Sequence, residues 1–137
     1  MYTSILVPVD LEHRQGLEKA VSTAATLSKA YGIPMTLIGV TTNTPSAVAH
    51  TPQEFQQKME AYAAEEGEKY GVEVKGLGVA SHDPAVDLNE TLIEQAEKRG
   101  DDLIVMASHI PGVAEHIFSS HAGYVAQHAP VSVMVVR

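Results

Sequence analysis

The residues that could do chemistry lie in two places. One is Asp10, which ends the apolar run "ILVPVD". The other is "MASHIPGVAEHIFSSHA", Met106 to Ala122, which carries three histidines, two adjacent serines and no lysine or arginine. A carboxylate at Asp10 can accept hydrogen bonds from the adenine or ribose of a nucleotide. It can equally cap a helix that begins a few residues later. Ser119 and Ser120 stand near the expected start of the last helix, roughly Ser119 to His128. Free N–H groups and partial positive charge at such an end suit phosphate, and hydroxyls add donors; the plainer reading is that one serine caps the helix. His109, His116, His121 and His128 crowd the same region. Helical zinc ligands favour i, i+4 spacing, whereas His116 and His121 are five apart and neither pairs with a carboxylate at helical spacing. Surface or capping histidines outweigh a metal site.

Several enzyme patterns are absent. The chain has no G-x-x-x-x-G-K-[ST], no G-x-G-x-x-G after its first strand and no G-x-S-x-G elbow. No lysine or arginine lies between Arg99 and Arg137, so a phosphoryl-transfer site would lack the fixed cation that stabilises developing charge. Histidines, largely neutral at pH 7, are the local substitutes. The expectation is a protein that is not an enzyme.

These groups must be positioned by an alternation of two kinds of segment. "TSILVPVD" is apolar and β-branched, as a strand should be. "QGLEKAVSTAATLSKAY" places Leu17, Val21, Ala24 and Tyr31 at helical spacing, with Gly32 and Pro34 as the stop. "PMTLIGV" is a second strand. In "TPQE", Thr51 and Glu54 have capping-box spacing with Pro52 at the first helical position. Phe55, Met59 and Tyr62 mark that helix's buried stripe, Gly71 closes it, and Gly67 is an unexplained interior cost. "VEVKGLGV" alternates but slips phase at Gly76, which suggests an edge strand with a bulge. "NETLIEQAEKRG" reads as a short helix ending at Gly100. "DLIVMAS" is apolar on both faces, as a central parallel strand is, and "VSVMVV" is the fifth strand. The order βαβαβαβαβ implies an α/β fold, Rossmann-like, with a parallel sheet and helices on both faces. Ligands bind such sheets beyond the carboxyl ends of the strands, where the strand order reverses. The loops after Asp10 and after Ala107 are therefore the places of interest.

Bulk properties narrow the partners. The 137 residues suit one domain. With a net charge of −8 and no basic block, nucleic acid and anionic membrane surfaces are poor partners. No apolar run approaches the length of a membrane span, and "MYTSILVPVD" lacks the marks of a signal peptide. The absence of cysteine excludes disulfides and thiol catalysis. A soluble cytoplasmic protein is the simplest expectation.

Taken together, "ILVPVD", "LIGV", "DLIVMASH" and "HAPVSVMVVR" resemble the universal stress protein (UspA-like) family, in order and across residues 1–137. The resemblance implies a single universal stress protein domain with a five-stranded parallel sheet of order 3-2-1-4-5. It implies non-catalytic binding of ATP or AMP in a stress response, with Mg²⁺ accompanying a triphosphate. Nucleotide-binding members carry proline and aspartate at the end of strand 1, matching Pro8 and Asp10 around Val9. They use backbone groups at the end of strand 2, matching Val40. After strand 4 they carry G-x-x-G, nine residues, then G-[ST]. Here Ala107 and Ile110 replace the first two glycines, Ser119 the third, and Ser120 keeps the hydroxyl, in a loop one residue shorter. The family also has a short-loop subclass reading A-S-H-R-P. Ile110 stands in place of its arginine, and Gly112 follows Pro111. Ser108, His109 and His121 complete the implied nucleotide contacts. The lost glycines, which let amides approach phosphate, support an alternative: a non-nucleotide interaction module of the same family. Under either reading the last strand lies at a sheet edge and invites a homodimer.

Overall fold

The computed structural model describes residues 1–108 and 115–137, and leaves undescribed the side chains of residue 85 and residues 115–120. The elements are β1 (Ile5–Pro8), a 3₁₀ segment (Leu11–Leu17), α1 (Glu18–Tyr31), β2 (Met35–Thr41), α2 (Pro52–Tyr70), β3 (Val74–Ala80), α3 (Pro84–Arg99), β4 (Leu103–Ala107), α4 (Glu115–His128) and β5 (Ser132–Val136). All strand pairs are parallel and the order is β3-β2-β1-β4-β5, as expected.

Strand periodicity divides the core between two faces. Ile5, Val7, Leu103 and Val105 point to one side, where the 3₁₀ segment contributes Leu17, α1 contributes Val21, and α2 contributes Phe55 and Met59. Leu6, Ile104 and Met106 point to the other, against Leu92 and Ala96 of α3 and Ala122 and Val125 of α4. Both faces of β1 and β4 are buried, so these strands read as continuous apolar runs rather than as alternation.

Helix ends follow local chemistry. Thr51 caps α2 by accepting from Glu54 N at 3.0 Å, and Pro52 follows it. Gly32, Gly71 and Gly100 end α1, α2 and α3 in the left-handed conformation, with φ of 66°, 66° and 76°. The amino ends of β1 and β4 are stitched together. The Asp102 carboxylate accepts from Thr3 N at 3.0 Å and Ser4 N at 3.2 Å. Asp101, buried, accepts from Ser4 Oγ at 2.7 Å and Arg99 Nε at 3.0 Å. These bonds place the polar pairing at one end of the sheet and leave the carboxyl ends for the loops.

Four expectations need correction. Between Asp10 and α1 the chain makes a 3₁₀ segment, because Asp10 caps it and His13 departs from helical angles (φ −130°, ψ 40°). The third helix starts at Pro84, not Asn89: Asp83 and Pro84 stand at the cap and first positions. The last helix starts at Glu115, not Ser119; no glycine or proline interrupts "EHIFSS", so helix continues through it. Finally, β3 has no bulge and pairs with β2 in unbroken register from Met35↔Val74 to Thr41↔Ala80. Gly76 is there for space. A Cβ would lie 2.2 Å from the Met59 carbonyl oxygen, so α2 packs directly on the strand backbone. At Gly67 a Cβ would lie 3.1 Å from the Val72 carbonyl oxygen, a tight contact just past the end of α2.

Candidate functional site

From β1 the sheet grows one way through β2 and β3, then the other way through β4 and β5. The strand order therefore reverses between β1 and β4, and a crevice must open at their carboxyl ends. A cavity of about 340 Å³ lies at the carboxyl ends of β1 and β2. Val9 to Glu12 form one wall, and Val40, Thr41 and Thr42 another. Ser46 and Val48 close the outer side, Phe55 lies on the α2 side, and Pro84, Leu88 and His121 come from α3 and α4.

Asp10 is held by its own backbone. Oδ1 accepts from Glu12 N at 2.9 Å, which makes Asp10 the cap of the 3₁₀ segment. Oδ2 lies 2.9 Å from Nδ1 of His13. The capping role expected of Asp10 is thus realised, and the carboxylate still lines the cavity. Asp10, Glu12 and His13 bring possible ligand atoms within 4.8 Å of one another. The cap and the Asp10–His13 bond account for the positions of the Asp10 carboxylate and the His13 ring.

The outer wall is a loop tied to itself and to α2. Ser46 Oγ accepts from Val48 N at 3.3 Å and Ala49 N at 3.2 Å. Lys58 Nζ donates to the Val48 carbonyl. Glu54 accepts from His50 N at 3.0 Å, and that backbone bond holds its carboxyl below the usual range. Phe55, Val9 and Leu88 give the cavity apolar lining. An apolar slot with hydroxyls and a carboxylate at its rim suits a flat, polar-edged ring with a sugar.

His121 enters from α4. Its Nδ1–H donates to Asn89 Oδ1 on α3 at 2.7 Å. Burial pushes its pKa down, so it is neutral at pH 7. His128 faces elsewhere: Nδ1 donates to the Tyr124 carbonyl at 2.9 Å and the ring stacks on Tyr124 at 4.1 Å.

Of the residues singled out by sequence, Val9, Asp10, Val40 and His121 line the cavity. Pro8 and Ala107 end their strands beside it without lining it, and Ser108 N donates to the Val136 carbonyl at 2.8 Å. His109, Ile110 and Gly112 lie outside the described residues. Ser119 and Ser120 fall in the second turn of α4, and their side chains lie outside the description. Sequence reasoning missed Leu11, Glu12, Thr41, Thr42, Ser46, Val48, Phe55, Pro84 and Leu88. The "TTNTPS" loop after the second strand was the available signal, since loops at that end of the sheet carry function.

The family model for the universal stress protein family matches residues 1–137. The chain belongs to that family. Universal stress protein G of Shigella flexneri is 27% identical over 143 residues, covering 100% of both chains. A universal stress protein from Archaeoglobus fulgidus, solved in complex with dAMP, has a TM-score of 0.68 at 19% identity, covering 99% of this chain and 98% of that one. Another universal stress protein, solved in complex with cAMP, has a TM-score of 0.71 at 17% identity, covering 99% and 97%. At such identities these structures establish the universal stress protein fold. Among the described residues, no helix is long and apolar enough to cross a membrane.

Proposed function

We propose that this universal stress protein binds an adenine nucleotide, ATP or AMP, without catalysis, as a cytoplasmic component of a stress response. The observation that carries the reading is the cavity at the carboxyl ends of β1 and β2, with Asp10, Val40 and His121 on its walls. Structural relatives bound to dAMP and cAMP support adenine as the base. In this reading Pro8, Val9, Asp10 and the backbone of Val40 hold the adenosine. Ala107, Ser108, His109, Ile110, Gly112, Ser119, Ser120 and His121 follow the phosphates, with Mg²⁺ accompanying a triphosphate. Mass spectrometry of small molecules released from natively purified protein tests this. An adenine nucleotide in near-stoichiometric amount is the expected result, and a different ligand class in that amount would refute it.

One observation favours the second reading, a dimeric interaction module that binds no nucleotide. Both Asp10 oxygens already have partners inside the chain. Each retains acceptor capacity, so the bonds reduce what Asp10 can offer a ribose without abolishing it. Under both readings the homodimer forms through β5, where Met134 and Val135 remain exposed on the edge strand.

A further inference from the structure

The outer edge of β3 is covered by a side chain. In a parallel pair, alternate residues turn both backbone groups toward one neighbour, and the residues between turn theirs away. Glu73 accepts from Met35 N at 3.1 Å, and Ser81 N donates to the Thr41 carbonyl at 2.7 Å. Odd-numbered residues of this strand therefore face β2. Gly76 and Gly78 direct their backbone groups to the open side. There Gln56 of α2 meets them: Nε2 donates to the Gly76 carbonyl at 3.0 Å, and Oε1 accepts from Gly78 N at 2.6 Å. One amide donates and accepts as the N–H and C=O of a neighbouring strand would. Nε2 also donates to Glu60 Oε1 at 2.9 Å, which fixes the orientation of the amide.

The sequence makes room for this arrangement. A Cβ on Gly76 would lie 2.2 Å from the Met59 carbonyl oxygen, and one on Gly78 would lie 2.7 Å from the Phe55 ring and 3.3 Å from Gln56 Cα. Without side chains at these two positions, α2 lies close enough for Gln56 to reach the edge.

We propose that Gln56 is a side-chain substitute for a sixth strand, closing the β3 edge against strand addition. The need for it follows from the homodimer proposed above, on which this inference rests. A dimer joined through β5 leaves a β3 edge at each end of its sheet, and open edges are templates for pairing. Pairing β3 of one dimer with β3 of the next leaves a further β3 free and so grows into chains of dimers. Gln56 removes β3 as an acceptor for the β3 strand of a second dimer.

The test uses the full chain with Gln56→Met, which keeps the side-chain length and loses the amide. Sedimentation velocity from micromolar to millimolar concentration is compared with the wild type, and amide exchange is followed at Gly78. The variant is expected to form species heavier than any in the wild type, growing with concentration. Gly78 N–H is expected to exchange about tenfold faster at low concentration, as loss of one hydrogen bond predicts. Adding Val135→Asp, which takes away the β5 joint, should limit the heavy species to pairs of chains joined through β3. A mass distribution identical to the wild type at every concentration overturns the proposal. So does material heavier than a pair of chains in the double variant. Gln56→Ala, which keeps helix propensity high, supplies the same comparison where Gln56→Met does not fold.

Discussion

Asp10 carries two roles that compete for the same oxygens. It caps the 3₁₀ segment through Glu12 N and binds His13, and it also lines the cavity. Asparagine caps helices about as well as aspartate, so Asp10→Asn separates the roles: the cap survives and the charge is lost. His121 brings a pH dependence. Burial lowers its pKa, so between that value and the ordinary histidine range the unfolded chain binds more protons than the folded one. Stability attributable to this residue is full above about pH 6.5 and falls as pH drops through the lowered pKa. Thermal melts at about pH 7.5 and pH 5.5 should show a smaller acid loss in His121→Gln than in the wild type; an equal loss would remove His121 as a cause. Asp10 was legible because a carboxylate ending a buried apolar strand is conspicuous. Its partner His13 was not, because the bond depends on a 3₁₀ register that a helical reading does not contain. Asn89, which orients His121, comes from α3, and no spacing rule links residues on separate helices.

At the scale of elements, periodicity located the strands and the body of each α-helix, and errors fell at the 3₁₀ segment, at two helix starts and where one residue served two purposes. Gly76 broke an alternating pattern and suggested a bulge, whereas the glycine makes room for the Met59 carbonyl. Gly76→Ala places a methyl group 2.2 Å from that backbone oxygen, with no flexible side chain to move aside. Overpacking of this kind costs about 1–3 kcal/mol or more, so urea unfolding should show a loss at the upper end of that range. A loss below about 0.5 kcal/mol, typical of exposed positions, would mean that α2 does not rest on β3 as described. The early start of α4 at Glu115 has a functional consequence. Ser119 and Ser120 sit one turn inside the helix, so their N–H groups are not among the free ones of the first turn.

For the whole molecule, the strand order was readable once the family resemblance was added, and the helices on both faces from alternation alone. The proposed homodimer rests on an edge strand rich in valine. Val135→Asp puts a charge on an exposed position of β5, and sedimentation should then report a monomer with the wild-type melting temperature. A dimer that survives would place the interface elsewhere. The residues lining the cavity were partly hidden from sequence, because Ser46, Phe55 and Leu88 reach it only after α2 and α3 pack. The proposed function turns on whether this cavity holds an adenine nucleotide. Titration calorimetry of the wild type and Asp10→Asn with AMP and with ATP tests it most directly. Saturable binding to the wild type is expected, weakened about tenfold or more in Asp10→Asn as loss of a hydrogen bond to a charged acceptor implies, at an unchanged melting temperature. Flat titrations with both nucleotides on folded wild-type protein would contradict it.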